Sequence, residues 1–296
     1  WLVEERIIQE LGRSSTTMNI ADSRTTAIQL SQEFPRPLGL VPTMGYLHAG
    51  HLALVKQARE ECSTVAASIF VNPTQFGPEE DYESYPRDME RDLNLLQQEG
   101  VSWVFTPHSD DIYPPGFDTW VNVQSLTQPL EGIQRPGHFL GVTTVVAKLF
   151  NIVRPDRAYF GEKDAQQLRV IIKMVKDLDM GIEIVRVPTV REPDGLAMSS
   201  RNVYLTEEQR SAATTLYRAL CYARDIWAKG ERNSEHLKNT VLLTLRSEPK
   251  IDTIDYVSIV DPATLQVIDQ IEDSAMVLVA ARIGKTRLID NILLTS

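Results

Sequence analysis

Short apolar runs alternate with longer stretches of helical spacing through the first two thirds of the chain. The runs are Gly39–Val41, Val65–Val71, Trp103–Phe105, Arg157–Phe160 and Ile182–Val187. Their length and near-continuous apolar character predict strands buried in a parallel sheet. Between them, His51–Cys62, Arg87–Glu99, Val142–Val153 and Ala165–Leu178 carry the spacing of helices. Strand–helix alternation of this kind predicts an α/β fold with a Rossmann-like, doubly wound parallel sheet. Ligands in such sheets bind beyond the carboxyl ends of the strands. The polar breaks after Val41, Val71, Phe160 and Val187 fall at those ends, which points to one composite site.

After about Val190 the pattern changes. Leu205–Trp227 reads as a long helix, with Thr206 as its cap and Glu207 and Glu208 in its first turn. His236–Arg246 reads as a second helix. Strands are expected at Ile254–Val260, Ala275–Ala281 and Thr286–Asp290, the last two joined by a hairpin at Arg282–Lys285. The expected organisation is therefore an N-terminal extension over 1–17, a Rossmann-like ligand-binding domain over 18–189 and a smaller C-terminal α+β lid domain over 190–296. Residues 1–11 have the spacing of a short amphipathic helix, and a polar run over 13–17 follows it. We read the first seventeen residues as an extension, a processed remnant or an expression artefact, without the apolar core of a secretory signal.

Composition narrows the class. With 43% hydrophobic and 24% charged residues, the 296-residue chain reads as a soluble globular protein. A net charge of −10 disfavours general nucleic-acid binding but leaves room for a small basic pocket. No apolar run approaches the ~20 residues of a membrane span. Cys62 and Cys221 match no metal or redox spacing and read as small hydrophobes in a reducing compartment.

Four breaks carry candidate chemistry. In Val41-Pro-Thr-Met-Gly-Tyr-Leu-His-Ala-Gly-His51, two glycines flank a strand-to-helix turn, and His48 and His51 stand three residues apart at the helix start. Helix-start amides favour an anion, and the imidazoles can donate to phosphate oxygens. The stretch suggests a nucleoside triphosphate site without the ending of a P-loop. Ordinary helix-start residues and a metal pair awaiting a third ligand are the alternatives. Asn72 and Gln75, in Val71-Asn-Pro-Thr-Gln-Phe-Gly77, can hydrogen-bond a polar substrate, or the stretch is a plain turn. The polar segment Pro78–Asp88 reads as a lid or as an ordinary acidic loop. In Phe160-Gly-Glu-Lys-Asp164, Gly161 allows close approach, Lys163 suits phosphate, Asp164 can hold ribose hydroxyls, and Gln167 follows; capping with solvated charge is the alternative. Ser199, Ser200 and Arg201 offer two hydroxyls and a guanidinium fork for a triphosphate or departing pyrophosphate. A nucleophilic-serine elbow and a dinucleotide fingerprint are both missing from the sequence.

PTMGYLHAGH, SIFVNPTQFG, AYFGEKDAQQ and REPDGLAMSSRN, in this order, resemble the pantothenate synthetase (pantoate–β-alanine ligase) family. The likeness runs from about Met18 to the C-terminus and includes Arg135-Pro-Gly-His-Phe139 and Arg287-Leu-Ile-Asp-Asn291. The His-x-x-His element and the Met-Ser-Ser-Arg segment also resemble the wider nucleotidylyltransferase superfamily; the glutamine-containing motifs narrow it. The resemblance implies that ATP activates (R)-pantoate as pantoyl adenylate, releasing pyrophosphate, and that the amine of β-alanine then attacks to give pantothenate and AMP. It implies an ATP site at Pro42, Thr43, Met44, His48, His51, Gly161, Lys163, Asp164, Val190, Met198, Ser199, Ser200 and Arg201. It implies a pantoate site at Asn72, Gln75 and Gln167, with Val142, Val145 and Val146 packed on the gem-dimethyl group. Catalysis is expected from His48, His51, Lys163, Ser199, Ser200 and Arg201 by positioning and charge stabilisation. Mg²⁺ is expected on the phosphates, with Asp92 as the nearest acidic match beside Arg91, where some relatives carry two acids. A cytoplasmic homodimer is expected. The rival readings are an adenylate transferase without an amine substrate, a nucleotide sensor and a metallohydrolase.

Overall fold

The computed structural model describes residues 18–295, so the expected helix over 1–11 and the extension over 1–17 lie outside the described residues. Six parallel strands form one sheet: β1 (Asn19–Ala21), β2 (Leu38–Thr43), β3 (Thr64–Ile69), β4 (Trp103–Phe105), β5 (Arg157–Gly161) and β6 (Glu183–Val187). Their order is β1-β4-β3-β2-β5-β6. The chain therefore winds outward from β2 in one direction through β3 and β4, then returns to place β5 against its other edge. The reversal puts the topological switch between β2 and β5, the place where doubly wound sheets bind ligands.

The inner strands form because they are buried on both faces: every residue of β3 and β4 is buried. One apolar cluster, built on Leu38, Leu40, Trp103, Phe105 and the helix His138–Val153, covers one face of the sheet. Another, built on Val41, Leu47, Val55, Val65 and Tyr159, covers the opposite face. The helix expected from Val142 begins four residues earlier, after Gly137, whose φ of +83° turns the chain into it. That helix is buried nearly all round, so a one-face spacing rule underestimates it. β1 and the helix Arg24–Glu33 were not marked by the pattern. β1 has three residues, only one of them buried, and the helix buries only Ala27 and Ser31.

The C-terminal part packs two helices, Glu207–Ala228 and Ser234–Arg246, on an antiparallel sheet β7-β8-β9 (Thr253–Val260, Ser274–Ile283, Thr286–Thr295). Thr206 caps the long helix through a reciprocal pair with Gln209. The β8–β9 hairpin turns at Gly284-Lys285, with Gly284 at φ +59°. β9 runs five residues beyond the expected Asp290. Among the described residues no helix is long and apolar enough to cross a membrane.

Candidate active site

A cavity of about 240 Å³ opens at the carboxyl ends of β2, β3, β5 and β6. His48 and His51 stand on its wall at the start of the helix Ala49–Glu61. Their rings lie 4.1 Å apart between centroids. They also cap the helix. The Gly50 N–H donates to His48 Nδ1 at 3.1 Å, and the His48 N–H donates to His51 Nδ1 at 3.3 Å. Each imidazole therefore accepts at Nδ1 and carries its proton at Nε2. Burial, with Lys163 nearby, lowers the His48 pKa to about 4. Burial, then His48 and Lys163, holds His51 well below the ordinary histidine value. The pair is neutral at pH 7 and offers Nε2–H donors, not positive charges. The expectation that helix-start amides face the anion shifts accordingly: the imidazoles take two of the helix-start N–H groups. Among the described residues no third histidine, cysteine or acid joins the pair in a metal-binding group.

The turn that presents this pair is braced from behind. Asp92, 1% exposed, accepts from the backbone N–H groups of Tyr46 at 2.6 Å and Leu47 at 2.8 Å. Arg91 Nη2 donates to the Leu47 carbonyl at 2.9 Å. Gly45 is required here twice over. Its φ is +84°, and a Cβ would lie 3.0 Å from both Asp92 Oδ2 and Ile69 Cγ2. Asp92 is the one expected site residue that does not line the cavity; its carboxylate faces the underside of the turn.

Pro42, Thr43 and Met44 form the floor at the end of β2. Asn72 caps, and Gln75 ends, the single helical turn Pro73–Gln75 after β3. Asn72 Nδ2 donates to Gln75 Oε1 at 3.0 Å and to the Gly141 carbonyl at 3.2 Å. Gly141 lets the helix His138–Val153 close on this turn, because a Cβ would meet the Thr74 carbonyl oxygen at 2.5 Å. The same helix supplies Val142, Val145 and Val146, all buried, as an apolar wall beside Gln75. Gln167 reaches the cavity from the helix Ala165–Asp177.

Gly161, Lys163 and Asp164 follow β5, and Val190 follows β6. Asn291 Nδ2 in β9 donates to the carbonyls of Glu162 at 3.0 Å and Lys163 at 2.9 Å. Its neighbour Asp290 pairs with Arg191 through two bonds of 2.7 and 2.9 Å. The Arg287–Asn291 segment thus fastens the C-terminal sheet to the loop that carries Lys163. Met198, Ser199, Ser200 and Arg201 complete the lining. Ser199 Oγ accepts from the Arg201 N–H, and Ser200 Oγ donates to the Tyr46 carbonyl at 3.3 Å.

Residues not singled out by the motifs also reach the cavity, among them Tyr85, Arg135 and His138. His138 Nδ1–H donates to the Gln75 carbonyl at 2.9 Å, while Arg135 Nη1 donates to its Nε2 at 3.2 Å. Burial, together with Arg135, lowers the His138 pKa to about 4. The Arg135–Phe139 segment was the available signal; nothing in its spacing told which cavity it would enter. The acidic loop also matters more than its composition suggested. Asp81 grips Arg201 through bonds of 2.7 and 2.8 Å, and Glu80 grips Arg135 through two of 2.7 Å.

Comparison with known proteins finds extensive similarity to one family. The family model described as pantoate-beta-alanine ligase matches residues 15–293. A pantothenate synthetase from Chloroflexus aurantiacus is 59% identical over 258 residues, covering 87% of this chain and 92% of that protein. One from Thermotoga neapolitana is 55% identical over 263 residues, covering 89% and 94%. The crystal structure of pantothenate synthetase from Thermus thermophilus superposes with a TM-score of 0.90 at 49% identity, covering 94% of this chain and all of that one. That of pantoate-beta-alanine ligase from Francisella tularensis, complexed with beta-gamma ATP and beta-alanine, gives 0.77 at 36% identity, covering 94% and 98%. With a match of this extent and both sheets in common, the chain belongs to the pantoate–β-alanine ligase family.

Proposed function

We propose that this chain joins (R)-pantoate to β-alanine, converting ATP to AMP and pyrophosphate through pantoyl adenylate. The observation that carries the reading is a single cavity with two kinds of wall. One wall is a row of phosphate-suited donors: His48, His51, Lys163, Ser199, Ser200 and Arg201. The other pairs two carboxamides, Gln75 and Gln167, with the buried valines 142, 145 and 146. The second wall fits a small hydroxy acid with a branched apolar carbon, and the first fits a triphosphate.

In the first step the pantoate carboxylate attacks the α-phosphorus. A P–O bond forms, the bond to the β-phosphate oxygen breaks, and pyrophosphate leaves. Charge builds on the phosphoryl oxygens, where the neutral imidazole Nε2–H groups donate and Lys163 supplies positive charge. The serines and Arg201 take the outer phosphates. Asn72, Met44, Pro42 and Thr43 shape the boundary between the subsites, and Gly161, Asp164, Val190 and Met198 receive the adenosine. In the second step the amine of β-alanine attacks the acyl carbon. The C–N bond forms, AMP leaves with the acyl-oxygen electrons, and the amine proton passes to solvent or phosphate. No protein nucleophile takes part, so the protein acts by positioning and by charge.

Magnesium enters this reading only as an ion carried on phosphate oxygens, as is usual for nucleotide sites. Asp92 does not fit as its ligand: both oxygens already accept backbone N–H groups beneath the turn. The division at residues 189 and 190, a lid role for the C-terminal unit, a homodimer and a cytoplasmic location belong to the same proposal. The test is AMP and pyrophosphate release from purified protein with ATP, Mg²⁺ and pantoate, with and without β-alanine. AMP formed in proportion to pantothenate, and only with β-alanine present, is the expected result. ATP binding without AMP production would instead favour a sensing role.

A further inference from the structure

Arg135 is the cavity cation that the chemistry above leaves without a task. Among the described residues, three cations other than histidine line the cavity: Lys163, Arg201 and Arg135. Under the reading of the preceding section the first two face phosphates. Arg135 stands on the pantoate side, with Nη2 3.4 Å from the Gln75 carbonyl. Its side chain is 15% exposed. His138, itself buried, holds the guanidinium by Nη1, and the Gln75 carbonyl fixes His138 in turn.

The second substrate is a three-carbon zwitterion. Its amine must reach the acyl carbon beside Gln75 and Gln167, so its carboxylate lies only a few ångströms from that point. A carboxylate drawn into a partly buried cavity needs a cation with paired donors. Arg135 already shows that it binds such a group: Nε and Nη2 hold the two Glu80 oxygens at 2.7 Å each. Glu80 belongs to the loop Pro78–Asp88 and is partly exposed, so it can be displaced without disturbing the sheet.

We propose that Arg135 binds the carboxylate of β-alanine, in exchange for Glu80, and thereby selects an amine that carries an acid at its far end. The proposal rests on the pantoate–β-alanine reading and adds a subsite to it. It makes Arg135 a specificity residue and His138 a positioning residue.

The test compares two amines, β-alanine and 3-aminopropan-1-ol, in the wild type and in Arg135→Gln. Pantoate-dependent pyrophosphate release is followed separately. The wild type should prefer β-alanine. Arg135→Gln should raise KM for β-alanine about ten- to a hundredfold, the factor expected for a lost charge-assisted pair. The alcohol should change little, and KM for pantoate should move far less than KM for β-alanine. An equal loss for both amines, or a raised pantoate KM with the preference intact, overturns the proposal. Glu80→Gln provides a second arm should Arg135→Gln fold poorly. It should lower KM for β-alanine and leave the alcohol unchanged, and an unchanged or raised β-alanine KM counts against the exchange. Wild-type protein that releases pyrophosphate with pantoate but joins neither amine overturns the preceding reading itself, and this proposal with it.

Discussion

Two sets of polar groups around the cavity are held in opposite ways. On the β2 side, His48 and His51 are neutral, buried and tied to backbone N–H groups, and Asp92 locks the turn beneath them. Elsewhere on the lining, Arg135 and Arg201 are charged and each is gripped by an acid of one surface loop, Glu80 or Asp81. The first set is preorganised by the main chain, which on the proposed reading lets it meet a phosphate without rearrangement. The second is held in readiness by carboxylates, which an incoming anion can replace. Donors set in advance stabilise charge as it develops. Cations with exchangeable partners are better suited to admitting and releasing anionic ligands.

The largest expected effect tests the charge between the two sets. Lys163→Ala should retain the fold and lower pantoate-dependent pyrophosphate release by about 10²–10³. Near-normal release would remove Lys163 from the chemistry. Next comes the brace. Asp92→Asn keeps one acceptor oxygen but turns an NH2 donor against one of the Tyr46 and Leu47 amides, and should destabilise the protein by about 1–3 kcal/mol. Urea unfolding reads the loss, and KM for ATP should rise with it. An unchanged unfolding midpoint would mean that the turn holds itself.

A third measurement concerns the neutral histidines. His48 and His138 have folded pKa values of about 4, below the ordinary 6.5. As pH falls through 6.5 the unfolded chain takes up protons that the folded chain refuses until about 4, so stability should fall over that window. His138→Gln should show a shallower decline between pH 7 and pH 5 than the wild type. An equal slope would place the pH dependence elsewhere. The smallest effect is expected at the exchangeable set. Asp81→Asn removes a partly exposed ion pair, so stability should change by no more than about 1 kcal/mol. KM for ATP should fall by roughly fivefold or less, the equivalent of that energy. A rise in KM would show that Asp81 orients Arg201 and does not compete for it.

Much of this was legible in residue order. Strand–helix alternation predicted the parallel sheet. The breaks after β2, β3, β5 and β6 mark the cavity because doubly wound sheets place those ends together. The Thr206 cap and the Gly284 hairpin followed from local rules that act within a few residues. Asp92 shows where such reading stops. As a sequence position it is an acid near phosphate motifs; in the fold it is a hydrogen-bond acceptor for a turn 45 residues away.

What the sequence determined by itself is the strongly patterned elements, the site-bearing breaks and the family, since these depend on local periodicity and on contiguous motifs. What only the tertiary structure decided is the state and partners of the side chains. That both histidines are neutral Nε2–H donors depends on their burial and on amides arranged by the turn. That Arg135 reaches Gln75, and Asn291 holds the Lys163 loop, depends on contacts across 60 and 128 residues of chain. Burial and long-range hydrogen bonds are properties of the packed chain, and no local pattern encodes them.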